Sequence, residues 1–410
     1  MKSGIAVRFI LILTFIQFCP AIGFCQKSDP FRDKRFKLVA EAIEREGIKN
    51  PRVLSSMRQV PRHEFVDAKD RKDAYADAAL PIGHKQTISP PYVVAYMTET
   101  IDPQAEDRIL EIGTGSGYQA AILSNLCKEV YSIEIVEPLG KQAAERLKRL
   151  GYSNVTTKVG DGYKGWPEHA PFDKIIVTCS PESVPEPLIA QLKDGGKLLV
   201  PLGERYQQVF HLFEKKEGKL INTKLISTLF VPMTGQSEDQ RQVKPDPLNP
   251  MILNGGFEED VDGDGKADHW HYQRLLTLDD KVFTEGKKSA HFESDTLNKI
   301  GIGQALQATA IDGTKIGSLD FELDYKTEGI VVGKEAHEMP ALMIFFYDEN
   351  RKNFQVERIG PWLGTSGDWR TASRTIAVPV KTRELIIRVG LNGATGQLWV
   401  DGIKMSYHKR

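Results

Sequence analysis

Between residues 100 and 240 the chain alternates two hydrophobic rhythms. Short apolar or β-branched runs, Ile109–Ile112, Val130–Glu134, Val155–Val159, Phe172–Thr178 and Lys197–Pro201, read as strands. Gln119–Leu126, Pro138–Leu150 and Val184–Leu192 read as helices, the second stopped by Gly151. Alternation of this kind predicts a doubly wound α/β domain with a parallel sheet. Two further β runs, Gln207–Phe213 and Leu220–Val231, follow. Upstream, Phe36–Ile43 is amphipathic at helical spacing and Gly47 suits its stop. A second helix starts at Asn50-Pro51 and carries Val53, Leu54, Met57 and Val60, and a third starts near Pro90.

Beyond residue 253 the rhythm becomes period two. Ser289–Glu293, Ser318–Tyr325, Ala341–Tyr347, Thr371–Val378, Glu384–Gly390 and Gln397–Met405 are candidate strands, and turns such as Asp348-Glu349-Asn350 separate several of them. Short alternating strands predict an all-β sandwich. Val243–Pro250 is rich in proline and reads as a semi-rigid linker. The expected division is therefore an N-terminal segment, residues 1–23, an α/β domain over 30–240, a linker over 241–252 and a sandwich over 253–410.

The first 23 residues have the layout of a secretory signal peptide. Lys2 and Arg8 flank the start of an apolar run, Phe9–Phe18, and Ala21-Ile22-Gly23 offers small residues for cleavage. Secretion or a periplasmic location is the expectation, with an uncleaved membrane anchor as the alternative. The run is short for a membrane span, and no other stretch could serve as one. A net charge of −1 over 410 residues gives no basic footprint for nucleic acid. Of the four cysteines, Cys19 and Cys25 belong to the signal or its edge. Cys127 and Cys179 show neither a disulfide framework nor metal-ligand spacing, and read as small core residues.

The stretch around which the α/β domain is organised is Ile109-Leu110-Glu111-Ile112-Gly113-Thr114-Gly115-Ser116-Gly117-Tyr118. A buried strand ends in an acid, glycines recur at alternate positions, and a helix begins. Such glycines allow positive φ and let a ligand lie against bare main chain, while the helix N-terminus presents unpaired N–H groups. The dinucleotide fingerprint would need glycine where Tyr118 stands, and no phosphate-loop Gly-Lys is present. Glu134 ends the next strand about 20 residues on, where doubly wound folds place the carboxylate that binds ribose hydroxyls. A glycine-rich surface turn is the bland alternative. Gly-x-Gly-x-Gly after Glu111 resembles the first motif of S-adenosylmethionine-dependent methyltransferases.

Four segments make the resemblance closer. Val60-Pro61-Arg62-His63-Glu64-Phe65, Ala74-Tyr75-Ala76-Asp77, Pro81-Ile82-Gly83-His84-Lys85-Gln86-Thr87-Ile88-Ser89 and Glu111–Tyr118 occur in the order seen in protein-L-isoaspartate O-methyltransferases. The likeness runs from about Phe36 to Gly235. It implies that Ser89 lies beside the methyl acceptor as an orienting group, with Ile82, Gly83, Gln86 and Thr87 shaping the substrate cleft. It also implies that Glu111, Gly113, Gly115, Gly117, Glu134, Asp161 and Gly162 bind S-adenosylmethionine, Asp161 at the adenine amino group. Capping the helix near Pro90 is the alternative for Ser89. Lys85 departs from a glycine common in the family, and Thr178-Cys179-Ser180 departs from a small apolar pair.

In the second domain, Asn254-Gly255-Gly256-Phe257-Glu258, Trp369 and Leu398-Trp399-Val400-Asp401 resemble jelly-roll carbohydrate-binding modules, which makes a glycan the implied partner. Trp270, Trp362, Trp369 and Trp399 could stack on sugars or fill the core. Asp260, Asp262, Asp264 and Asp268 fall at positions 1, 3, 5 and 9 of an EF-hand-like loop with Gly265 at 6, but His271 stands at 12 instead of a glutamate. Calcium is the expected ligand, with Glu258 or Glu259 completing the shell, and an acidic turn the alternative.

The resemblance implies methyl transfer from S-adenosylmethionine to the free α-carboxylate of L-isoaspartyl residues in damaged proteins or peptides, which begins repair through a succinimide. Two other functions stay open. One is a secreted binding protein whose methyltransferase fold is retired, since the cofactor is made in the cytoplasm. The other is methylation of a different surface carboxylate.

Overall fold

The computed structural model describes residues 29–295 and 302–410, so the expected signal segment lies outside the described residues. Among the described residues no helix is long and apolar enough to cross a membrane.

Helix α1 (Arg32–Leu38) runs into a π-helical segment, Val39–Glu44. The wider turn puts Leu38, Val39, Ala42 and Ile43 into the core. α2 (Pro51–Gln59) begins with proline in its first turn, and the Asn50 side chain accepts from Arg52 N. A short hairpin of β1 (Leu80–Gly83) and β2 (Gln86–Ile88) precedes α3 (Pro91–Ile101).

The α/β core follows as β3 (Arg108–Ile112), α4 (Tyr118–Ser124), β4 (Glu129–Glu134), α5 (Glu137–Leu150), β5 (Val155–Val159), β6 (Phe172–Val177), α6 (Glu186–Gln191) and β7 (Leu192–Glu204). β8 (Gln207–Lys216) and β9 (Lys219–Thr228) complete one seven-stranded sheet in the order β5-β4-β3-β6-β7-β8-β9. The first five are parallel, while β7, β8 and β9 form an antiparallel meander. Ile109, Val130, Ile176 and Leu199 pack with α1–α5, and Leu110, Tyr131, Ile175 and Leu198 pack with α6 on the other face. The strand order reverses between β3 and β6, and open α/β sheets place ligands at the carboxyl ends of strands at such a point.

The second domain contains β10 (His271–Arg274), β11 (Leu276–Asp279), β12 (Ser289–Ser294), β13 (Gln304–Ala310), β14 (Ile316–Val331), β15 (Ala341–Tyr347), β16 (Asn353–Ile359), β17 (Arg370–Ala377), β18 (Glu384–Gly390) and β19 (Thr395–Lys409). Two five-stranded antiparallel sheets, β10-β13-β18-β15-β16 and β11-β12-β19-β14-β17, enclose Trp270, Phe292, Phe321, Phe346 and Val400. All six expected strands are present. β10, β11, β13 and β16 are additional. β13 reads Gln-Ala-Leu-Gln-Ala-Thr-Ala, with little local β preference, and is a strand because it pairs with β18 over seven residues.

The two domains meet closely. Tyr206, at the β7–β8 turn, packs with Ala308, Ala310, Leu229 and Ile386, and its hydroxyl donates to Glu384 Oε2 at 3.1 Å. Burial pushes the His271 imidazole down to about 4, so it is neutral at pH 7, with Nε2 donating to Tyr206 O at 2.8 Å. Tyr272 Oη donates to Leu229 O at 3.1 Å. The linker is tied at both ends. Buried Arg241 donates to Gly203 O and Ser180 O, and Pro247 O accepts from Asp312 N.

Candidate active site

The ends of β3, β4 and β6, the β2–α3 loop and the segment after β9 surround a cleft of about 780 Å³, part of it open to solvent. Gln86, Thr87, Ser89, Gly113, Gly115, Glu134, Gly162 and Cys179 all contribute to its wall. The topology thus brings together most of the residues that the sequence singles out.

The glycine loop is held in a conformation open to glycine. Gly113, Gly115 and Gly117 have φ of 98°, 53° and 90°. Gly113 N donates to Ile133 O at 2.8 Å, tying the loop to β4. A Cβ on Gly113 would lie 2.5 Å from Thr178 Oγ1. That hydroxyl donates to Gly113 O at 2.8 Å and also lies 3.0 Å from Ile112 O. Thr178 therefore bolts the loop to the end of β6, which gives this departure from the family pattern a structural use. A Cβ on Gly162 would meet Ile112 Cγ2 at 2.3 Å, so the backbone after β5 approaches β3 closely.

The three acids occupy different surroundings. Glu134 lines the cleft, where Oε2 accepts from Gly115 N at 2.7 Å and Oε1 from Val136 N at 2.8 Å. Burial raises its pKa against these amide bonds. Glu111 is fully buried. Burial first, and the charge of Glu134 after it, push its carboxyl up to about 8 despite the Ser132 hydrogen bond. Ser132 Oγ bridges Glu111 Oε2 at 2.5 Å and Thr114 Oγ1 at 2.6 Å, while Glu111 Oε1 has no partner among the described residues. Asp161 adjoins Gly162 of the cleft wall and is itself half-buried. Its two oxygens accept from Tyr163 N at 2.9 Å and Gln236 N at 3.0 Å, so it shapes the turn that carries Gly162.

The β1–β2 hairpin covers the cleft. Ile82 packs its Cδ1 3.3 Å from the position of a Cβ on Gly115, and Gly83 sits at the turn with φ 86°. Ile82 is buried, and Gly83 is exposed and pairs with Gln86 of the cleft wall. His84 and Lys85 hold φ of 52° and 63° at the tip, the geometry of a type I′ turn, which explains why glycine is favoured at the Lys85 position. Ser89 Oγ has no hydrogen-bond partner among the described residues. It does not cap α3. Asp77 does so instead, its Oδ1 accepting from Tyr92 N at 2.8 Å. Asp77 belongs to a segment that the sequence singles out, but nothing local reveals its use as a cap 15 residues ahead.

In the second domain Asp260, Asp262 and Asp264 bring ligand oxygens within 4.8 Å of one another. Asp268 stands apart from that group and accepts from Val261 N at 2.8 Å. Glu258 accepts from Lys287 N and Lys288 N, and Glu259 lies 3.4 Å from His269 Nε2, so both are engaged elsewhere. Trp270 and Trp362 are buried in the core; Trp399 is buried outside it, stacked on His291 at 4.3 Å with Nε1 donating to Asp279 Oδ2 at 2.8 Å; and Trp369 is half-buried.

A doubly wound sheet with a glycine loop after β3 and an acid ending β4 defines the α/β fold of S-adenosylmethionine-dependent methyltransferases. The family model for Protein-L-isoaspartate(D-aspartate) O-methyltransferase matches residues 33–238, and the chain belongs to that family. The protein-L-isoaspartate O-methyltransferase of Opitutus terrae is 52% identical over 203 residues, which cover 49% of this chain and 87% of that one. The protein-L-isoaspartate O-methyltransferase 2 of Syntrophobacter fumaroxidans is 48% identical over 246 residues, 57% of this chain and 98% of that one. A solved protein-L-isoaspartate O-methyltransferase is 30% identical with a TM-score of 0.47, covering 54% of this chain and 73% of that chain.

Proposed function

We infer that this protein transfers a methyl group from S-adenosylmethionine to the free α-carboxylate of L-isoaspartyl residues in damaged proteins or peptides. The carrying observation is family membership together with a cleft that joins the glycine loop to the Ser89 loop. The cleft suits the cofactor. Bare main chain at Gly113, Gly115 and Gly162 leaves room for close approach, Glu134 offers acceptors for ribose hydroxyls, and buried Gln119 Oε1 in the wall has no partner among the described residues.

When bound, S-adenosylmethionine supplies a sulfonium methyl already activated for displacement. The acceptor carboxylate is ionised at neutral pH, so no general base is required, and among the described residues that line the cleft none is a histidine. The protein's task is alignment and exclusion of water, and such orientation lowers a barrier by roughly 7–11 kcal/mol. Ser89 Oγ, free of protein partners, donates to the acceptor. Gln86 and Thr87 shape the cleft beside it, and Ile82 and Gly83 support them. Gly117 starts α4, Asp161 sets the Gly162 turn, and neutral Glu111 supports the loop from below. The resulting methyl ester then closes to a succinimide as the following amide nitrogen expels methanol, and hydrolysis reopens the ring to aspartate or isoaspartate.

The test is transfer of labelled methyl to an isoaspartyl peptide and to its aspartyl twin, with Ser89→Ala alongside. Label should enter the isoaspartyl peptide alone, and Ser89→Ala should lower kcat/KM about 10- to 100-fold, the usual worth of a hydrogen bond to a charged group. Cofactor binding with no label on either peptide would point to another carboxylate. Absence of cofactor binding would favour the retired-enzyme reading.

Two further assignments concern the rest of the chain. Export to the periplasm or beyond rests on the pattern of the first 23 residues, and a glycan ligand for the sandwich rests on its resemblance to carbohydrate-binding modules. Calcium at Asp260, Asp262 and Asp264 has more physical support. Burial, with Asp262 and Asp260 nearby, raises the Asp264 pKa, and a cation would relieve that repulsion. Lys224 Nζ already stands 3.2 Å from Asp262 Oδ2, which predicts modest affinity. At about 100 times the dissociation constant, calcium should add ~2.7 kcal/mol and raise Tm by a few degrees. Asp262→Asn should remove that rise, and a Tm indifferent to calcium and chelator would refute the assignment.

A further inference from the structure

The second domain reaches the acceptor side of the methyltransferase through Arg274, the last residue of β10. Its side chain is 7% exposed. Nη2 donates to Asp77 Oδ2 at 2.5 Å, Nη1 lies 3.4 Å from Glu46 Oε2, and the guanidinium sits 4.0 Å above the Tyr92 ring. Asp77 and Glu46 are themselves only 11% and 17% exposed, and among the described residues neither forms another ion pair. A cation delivered by the sandwich thus balances two largely buried carboxylates of the α/β domain.

The same carboxylate holds the start of α3. Pro90 and Pro91 precede Tyr92, and Pro90 provides no side-chain cap. Asp77 Oδ1 accepts from Tyr92 N instead. Ser89 lies immediately before those prolines, whose rings fix φ and restrict the residue in front of them. Movement at Tyr92 therefore passes to Ser89 with little slack. Arg274 grips both ends of this joint, the Asp77 carboxylate and the Tyr92 ring.

We propose that Arg274 is a positioning residue for methyl transfer, through which the β-sandwich sets the place of Ser89 and so the affinity for the methyl acceptor. The identity of the acceptor rests on the isoaspartyl reading above. The glycine loop lies outside this linkage, so the cofactor side should not sense the loss of Arg274.

The test uses the full chain with Arg274→Gln, Arg274→Lys, Asp77→Asn and the double variant Arg274→Gln/Asp77→Asn. Tyr272→Phe serves as a control that removes a hydrogen bond across the same domain boundary. Arg274→Gln should raise the KM for an isoaspartyl peptide about tenfold, a size typical of coupling through a packed network. The Kd for S-adenosylhomocysteine should stay within about twofold, inside ordinary additivity error for an uncoupled site. Amide exchange should accelerate at Tyr92–Val94 and not at Gly113–Gly117. Arg274→Lys should recover part of the loss, because it keeps the charge and gives up the planar fork. Asp77→Asn, which keeps an oxygen for Tyr92 N, should match Arg274→Gln, and the double variant should be no worse than either. An unchanged KM in Arg274→Gln, additive effects in the double variant, or an equal KM rise in Tyr272→Phe would overturn the proposal. If the wild-type chain fails to methylate the peptide, the isoaspartyl reading falls separately. The exchange measurement then still decides the Arg274–Asp77–Tyr92 linkage, which unchanged exchange at Tyr92–Val94 would refute.

Discussion

Gly113→Ala is expected to abolish useful cofactor binding while leaving the β-sandwich folded. Gly113 holds φ at 98°, outside the left-handed well that other residues tolerate at a cost of ~1–2 kcal/mol. Its new Cβ would lie 2.5 Å from Thr178 Oγ1, so Thr178 must rotate away and give up the hydrogen bond its one hydroxyl proton makes to Gly113 O. Such a bond is worth about 1 kcal/mol. With the backbone cost the sum approaches ~2–3 kcal/mol, which corresponds to roughly thirty- to a hundredfold in affinity if the loop bears it on binding. Gly115→Ala provides the contrast. Gly115 has φ 53° and its Cβ would meet only Ile82 Cδ1 at 3.3 Å, a flexible methyl in the covering hairpin. It should be the milder variant. Calorimetric titration with S-adenosylhomocysteine distinguishes them, and a Gly113→Ala protein that binds within threefold of wild type would show that the loop adapts without Thr178.

The second large effect is on pH dependence. Glu111 carries a carboxyl pushed to about 8 by full burial, against an ordinary value of 4.5. Its folded-state pKa is raised, so the unfolded chain releases this proton first as pH climbs. Stability is complete below the ordinary value and is lost progressively up to about 8, at ~1.4 kcal/mol per pH unit. Several other acids, among them Asp29, Glu64 and Asp173, are shifted the opposite way by hydrogen bonds and nearby cations that outweigh their burial, and they act at lower pH. Comparing wild type with Glu111→Gln isolates the one group. The two proteins should melt alike near pH 5, and the variant should be the more stable by several degrees at pH 8. Parallel curves from pH 5 to 8 would mean that Glu111 is ionised in the folded protein.

What could be read from the chain was local chemistry with a short reach. The glycine loop and Glu134 are legible because each stands within a few residues of a recognisable strand end, whereas Ser89 is singled out only by the motif that carries the family resemblance. The parallel strands announce themselves through continuous apolar runs that match burial on both faces. Asp161 was visible as an acid beside glycines, but whether it faces a ligand or braces a turn depends on Gln236, 75 residues away. β13 was hidden because Ala, Gln and Thr carry no strand signal, and its state is decided by β18. The link between Arg274 and Asp77 spans 197 residues and leaves no mark in either segment. The tryptophans illustrate the same limit, since an aromatic side chain serves a core or a ligand equally well until its neighbours are known.

Cys179 gives the cleft a property of a different kind. Cys179 forms part of the wall of a pocket suited to an alkylating agent, and a cysteine thiolate is among the strongest nucleophiles in a protein. Burial first, then the nearby charges of Glu134 and Asp161, hold its pKa far above the usual thiol range. A thiol held in its protonated form is a poor nucleophile, so this part of the wall is expected to resist alkylation, and a wild-type chain kept with S-adenosylmethionine should gain no methyl group at Cys179.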